Sequence, residues 1–129
     1  MSSLNTIVYA DDEPDIREVV QLTLSAIGGF EVHSCENGAE AVELAKTNRP
    51  DLILLDVMMP VCTGPEALVE IRKLDELKDT PVVFITAKAN TNEIEELMSF
   101  PTTGIVSKPF DPMTLADQIR KIWTDLTSA

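Results

Sequence analysis

Residues 50–60 read P-D-L-I-L-L-D-V-M-M-P. Leu52, Ile53, Leu54 and Leu55 form an unbroken apolar run between Asp51 and Asp56, the pattern of a short strand covered on both faces rather than one with a wet side. Asp56 closes that run, and the loop after it holds Pro60 and Gly64. In open parallel sheets ligands bind at the carboxyl ends of the strands, so an acid here stands where chemistry is expected. On this stretch alone Asp56 is equally a cap for the next helix or the first residue of a turn.

Outward from this strand, the chain alternates short β-rich runs with amphipathic segments. Thr6 to Ala10 is a strand that stops at Asp11-Asp12-Glu13-Pro14. Pro14 suits a first helical turn, and Ile16, Val19, Val20, Thr23 and Ile27 then share one helical face. Gly28 and Gly29 end that helix, and Phe30 to Cys35 alternates weakly, as an outer strand does. A helix over 39–48 follows, with Ala41, Val42 and Ala45 as its apolar stripe.

Beyond the central strand, a helix is expected over Pro65 to Leu77, buried through Leu68, Ile71 and Leu74 or Leu77, and a buried strand over Pro81 to Thr86. Asn90 to Met98 reads as a short helix with Ile94, Leu97 and Met98 inward, Glu93, Glu95 and Glu96 outward, and Pro101 as its stop. Gly104 to Ser107 is the last strand. Pro112 opens a final helix whose Leu115, Ala116, Ile119, Ile122, Trp123 and Leu126 cover one broad face. Five strands alternating with five helices across short connections imply a doubly wound α/β domain: a five-stranded parallel sheet with helices on both faces. In the strand order 2-1-3-4-5, the Asp11-Asp12 loop and Asp56 share the crevice at the switch point, and Thr86 and Lys108 end the two strands beyond it.

Composition narrows the function classes. With 129 residues, 44% of them hydrophobic, the chain is long enough for one core, expected over residues 5–126 of a single domain spanning 1–129. Ten basic against 22 acidic residues give a net charge of −12, which opposes the phosphate attraction that direct nucleic-acid binding requires. No run approaches the ~18–20 apolar residues of a membrane span, and the N-terminus lacks a signal-like pattern, so a cytoplasmic protein without membrane insertion is expected. Cys35 and Cys62 read as reduced thiols. His33, the sole histidine, reads as a strand surface residue, and zinc is not expected.

Asp11-Asp12, Asp56 in L-L-D-V-M-M-P, Thr86-Ala87 and Lys108-Pro109-Phe110, in this order and spacing, resemble the receiver (CheY-like) domain of two-component response regulators over essentially the whole chain. Each piece alone is common; together, at the ends of successive inner strands, they are specific. The resemblance implies a phosphoacceptor signalling protein. Asp56 would take a phosphoryl group from a histidine kinase or histidine phosphotransfer protein, with Thr86 and Lys108 assisting at the phosphoryl oxygens. Asp12, Asp56 and the backbone carbonyl of Met58 would hold Mg²⁺, with Asp11 reaching the ion directly or through water. The resemblance also implies a cis Lys108-Pro109 bond that aims the lysine into the site. The chain ends at Ala129, soon after the fifth helix, so no attached output domain is expected. The phosphoryl group would then signal to an output protein or pass onward in a phosphorelay.

Some positions depart from the pattern. Where receivers usually carry Tyr or Phe three residues before the lysine, this chain has Ile105, and Ser99 to Gly104 is unlike the usual Ala-Gly-Ala turn. A small rearrangement centred on 86–98 is therefore expected, with Ile105 packed in both states. Met58 and Lys88, two residues beyond the aspartate and the threonine, imply slow autodephosphorylation. Three other readings compete. A haloacid-dehalogenase-like aspartyl-phosphate phosphatase wants a second Asp where Met58 stands. An FMN binder of the same fold wants Ser/Thr/Gly-rich phosphate loops in place of Asp11, Asp12 and Glu13. A receiver-like interaction module without phosphorylation does not need the acidic pocket.

Overall fold

The computed structural model describes residues 4–87, 91–100, 102–108 and 110–127. Five parallel strands, β1 (Thr6–Ala10), β2 (Glu31–Cys35), β3 (Leu52–Asp56), β4 (Val82–Thr86) and β5 (Thr103–Ser107), form one sheet in the order β2-β1-β3-β4-β5. The helices are α1 (Pro14–Leu22, continued by a π-helical segment at Thr23–Ile27), α2 (Gly38–Asn48), α3 (Gly64–Arg72), α4 (Thr91–Met98) and α5 (Pro112–Thr127). This is the doubly wound α/β fold expected from the sequence. Lys88, Asn90, Pro101 and Pro109, which carry the lifetime, helix-start, helix-stop and cis-peptide expectations, lie outside the described residues.

Strand periodicity divides the core in two. Val8, Ala10, Ile53, Leu55, Val82 and Phe84 point to the face covered by Ala41, Val42 and Ala45 of α2, Ala67, Leu68 and Ile71 of α3, and Leu97 of α4. Their neighbours Ile7, Tyr9, Leu52, Leu54, Val83, Ile85 and Val106 point to the other face, covered by Val20 and Leu24 of α1 and Leu115, Ala116 and Ile119 of α5. Every residue of β3 and β4 is buried, because both lie between strands and under helices on both sides. Each such Leu or Ile contributes about 1.5–3 kcal/mol relative to an exposed position. The edge strand β2 is mostly open, with only Cys35 buried.

Three local expectations differ from the structure. Val19 and Ile27 are 46% and 51% exposed, and Leu24 takes the inward place. The cause is the π-helical segment, marked by the Gly28 N–H donating to the Thr23 carbonyl at 3.2 Å, whose wider turn rotates Ile27 off the face that an α-helix would give it. Helix α3 ends at Arg72 rather than Leu77. Lys73, Leu74 and Leu77 donate to carbonyls three residues back, tightening the chain into turns, and Arg72 Nη1 donates to the Leu77 carbonyl at 2.9 Å; Leu77 is buried all the same. In α4, Leu97 is buried but Met98 is half exposed. The chain leaves the helix there through a bond from the Ser99 N–H to the Glu96 carbonyl, and Thr103 Oγ1 donates to the Leu97 and Phe100 carbonyls beneath it.

Candidate functional site

The carboxyl ends of β1, β3, β4 and β5 open into one cleft of about 590 Å³, lined by Glu13, Asp56, Met58, Thr86 and Lys108 and closed on one side by Glu96 and Leu97 of α4. Asp56 is the last residue of β3 and is 5% exposed. Its Oδ1 accepts the Met58 N–H at 3.3 Å, and its Oδ2 accepts from Lys108 Nζ at 3.1 Å. The loop after Asp56 runs back against it. Gly64 begins α3 so close that a Cβ there would lie 2.7 Å from the Asp56 carbonyl oxygen, and the Thr63–Glu66 capping box fixes that helix start.

Asp11 follows β1 and is fully buried. Tyr9 Oη donates to its Oδ2 at 2.8 Å and the Glu13 N–H to its Oδ1 at 2.9 Å, while Arg17 Nη1 donates to its backbone carbonyl at 2.8 Å. Carboxylate oxygens of Asp11, Asp12, Glu13 and Asp56 all lie within 4.8 Å of one another. Four like charges this close repel strongly unless positive charge stands among them. Part of it comes from Lys108, whose Nζ is 3.1 Å from Asp56, 3.7 Å from Glu13 and 3.9 Å from Asp11. The donor set is hard oxygen throughout, which suits a hard divalent cation such as Mg²⁺. The residues present therefore fit the ion.

Electrostatics sort the groups by role. Burial pushes the Asp56 carboxyl up to about 6; the hydrogen bond from Lys108 pulls it down and Asp11 pushes it up again. Burial disfavours the Lys108 ammonium, but Asp56 and Asp11 beside it outweigh that and leave its pKa raised. Burial, reinforced by Asp11, raises the Tyr9 phenol well above its ordinary value, so it remains a donor. The Cys35 thiol is pushed up to about 12 by burial, and burial also raises Cys62, so neither offers a ready thiolate.

The structure brings Asp11, Asp12, Asp56, Met58, Thr86 and Lys108 to one cleft, as the strand order requires. Thr86 is buried at the end of β4, and its carbonyl accepts the Lys108 N–H at 2.8 Å. Met58 stands 75% exposed at the mouth. Ile105 is half buried against the cluster of Phe84 and Leu97. His33 pairs with Glu31 at 3.0 Å on the edge strand, and Trp123 is partly buried with its Nε1 donating to the Asp51 carbonyl at 3.1 Å. Sequence reading missed two site residues. Glu13 was visible as the third acid of D-D-E, and Tyr9 as an aromatic with a polar tip two places before Asp11, hence at the same strand end.

Comparison with known proteins agrees with this geometry. The family model described as response regulator receiver domain matches residues 7–120. The chain is 40% identical over 94 residues to the probable transcriptional regulator ycf29 of Porphyra purpurea, a match covering 73% of this chain and 45% of that protein. Across the first curated relatives the chain spans about half of their length or less. Among solved structures, chemotaxis protein CheY4 of Vibrio cholerae is 32% identical with a TM-score of 0.85, over 93% of this chain and 99% of that one. The receiver domain of a sensor histidine kinase from Pseudomonas aeruginosa PAO1, solved with a magnesium ion coordinated in its active site cleft, is 26% identical with a TM-score of 0.81, over 98% and 100%. Matched by the family model over nearly its whole length and sharing both sequence and fold with CheY4, the chain belongs to the response regulator receiver domains, the phosphoacceptor modules of two-component signalling.

Proposed function

We propose that Asp56 is the phosphoacceptor and that Asp11, Asp12, Asp56 and the Met58 backbone carbonyl hold Mg²⁺. The observation that carries this reading is the buried Asp56 carboxyl, hydrogen-bonded by Lys108 and set among other acids at the carboxyl end of β3. An Asp56 oxygen forms a bond to phosphorus as the P–N bond of a partner's phosphohistidine breaks; the imidazole leaves with the electron pair and takes up a proton. Lys108 stays charged and faces the oxygens of the incoming group, and the Thr86 hydroxyl donates to another of them. The ion, when bound, supplies further positive charge to those oxygens.

The partners on this reading are a histidine kinase or a histidine phosphotransfer protein upstream and an output protein or second phosphotransfer protein downstream. The net charge of −12 argues against direct nucleic-acid contact by this domain. The domain reads as a regulator with self-catalysed phosphoryl uptake and slow autodephosphorylation, because the exposed Met58 side chain at the cleft mouth has no polar group to orient water. Intact mass spectrometry after incubation with acetyl phosphate or phosphoramidate and Mg²⁺ tests the assignment. One acid-labile phosphoryl group is expected on the wild type and none on Asp56→Asn. Equal labelling of the two would sink it.

A further inference from the structure

We propose that Tyr9 is a positioning residue for Asp11, holding one of the cation-binding carboxylates in place with a neutral hydrogen bond; this rests on the reading that the acidic cluster binds Mg²⁺. Tyr9 is the fourth residue of β1 and wholly buried, its ring set in the apolar cluster with Val20, Leu24, Leu54, Ile85 and Ile119. A phenol so packed has little freedom at its two side-chain torsions. Its hydroxyl emerges at the strand end and donates to Asp11 Oδ2 at 2.8 Å.

Asp11 needs such a donor. It is fully buried, with the carboxylates of Asp12, Glu13 and Asp56 beside it. The Glu13 N–H holds Oδ1 and Tyr9 holds Oδ2, so the plane of the carboxylate is fixed at both ends. Each oxygen accepts in two directions, which leaves a lone pair on each for a cation. The ammonium of Lys108, 3.9 Å from the same Oδ2, stabilises Asp11 too, but its positive charge opposes a divalent ion. The phenol orients the ligand without adding charge. It therefore favours the cation-bound state relative to an unrestrained carboxylate, as hydrogen-bond partners behind metal ligands generally do.

Calorimetric Mg²⁺ titration of wild type and Tyr9→Phe, with ultraviolet resonance Raman of the wild type, tests this. Tyr9 is the chain's single tyrosine, so the phenol bands report its hydrogen bond alone. Two results are expected: Mg²⁺ shifts those bands, since the acceptor of the phenol is itself a ligand of the ion, and Tyr9→Phe binds Mg²⁺ about tenfold more weakly. Unchanged affinity in the variant, or phenol bands indifferent to Mg²⁺ in a wild type that binds it, overturns the role of Tyr9 and leaves the cation site standing. A wild type that takes up no Mg²⁺ overturns the cation site and this inference with it. If Tyr9→Phe does not fold, the Raman measurement decides alone, because phenol bands that stay fixed while the ion binds would uncouple Tyr9 from it.

Discussion

Lys108 Nζ lies 3.1 Å from Asp56 Oδ2, although 52 residues separate the two in sequence. The ends of β3 and β5, on either side of β4, bring them together. The ammonium also faces Asp11 and Glu13, so one cation offsets several acids.

An ammonium and a divalent cation compete for the same carboxylates. Lys108→Ala should therefore lower the melting temperature in metal-free buffer, by the equivalent of about 1–3 kcal/mol, since buried acids lose their partner. It should also bind Mg²⁺ more tightly than wild type. Phosphoryl uptake should nevertheless fall about a hundredfold, because a donor aimed at the transferring oxygens is gone. Melting curves with and without Mg²⁺, and uptake rates from acetyl phosphate, check all three; undiminished uptake would remove Lys108 from the site.

The raised pKa of Asp56 has a consequence for stability with a definite sign. Its folded value of about 6 exceeds the ordinary 3.8, so between these values the folded state holds more protons than the unfolded one. Stability contributed by Asp56 is full below about 3.8 and is lost as pH rises through about 6. Asp56→Asn removes this dependence. In metal-free buffer its melting temperature relative to wild type should rise across that window, reaching about 1–3 kcal/mol in its favour at neutral pH. A difference that stays flat with pH would show that the buried carboxylate is not under strain.

Two glycines separate the effect of space from that of backbone conformation. At Gly64 a Cβ would lie 2.7 Å from the Asp56 carbonyl oxygen and 3.2 Å from Val57 Cα, backbone atoms that cannot swing aside. Gly64→Ala should cost about 1–3 kcal/mol and slow phosphoryl uptake by displacing the backbone at the end of β3 and the loop that follows Asp56. Gly29 has open space around it but φ of +72°. Gly29→Ala should cost about 1–2 kcal/mol and leave uptake unchanged. Denaturant melts and labelling rates on the two variants make the comparison.

The legible parts of the fold were those where one signal dominates. L-I-L-L before Asp56 and V-V-F-I before Thr86 are buried on both faces, so their composition alone identifies them, and the strand order then brings Asp11, Asp12, Thr86 and Lys108 to Asp56. Helix faces were less legible because a change of hydrogen-bond span rotates them. The π-helical segment turned Ile27 outward, and the tight turns after Arg72 replaced the last helical turn that Leu77 had suggested. Tyr9 escaped notice for another reason. An aromatic in a central strand reads as core, which it is; only the 2.8 Å contact of its hydroxyl with Asp11 reveals a second duty.

Phosphorylation at the carboxyl end of β3 can act on a partner only through an element that moves in response to it. Without an aromatic ring at 105, the element that borders the cleft and is least firmly held is the natural responder, since a switch works by differential stabilisation of two states. Helix α4 meets that description. It is eight residues long, Leu97 is its buried side chain among those described, and Glu96 and Leu97 wall the cleft that opens onto Asp56 and Thr86. Short segments with few buried contacts open at low free-energy cost. Ile105, by contrast, is packed from within β5 against the cluster that holds Phe84 and Leu97, and it has no polar tip with which to sense a phosphoryl group. Amide exchange with and without a beryllofluoride analogue should therefore change over residues 86–98, with Ile105 and the buried turns of α5 unaltered. Changes confined to Ile105 and α5 would instead place the response on the opposite side of β5.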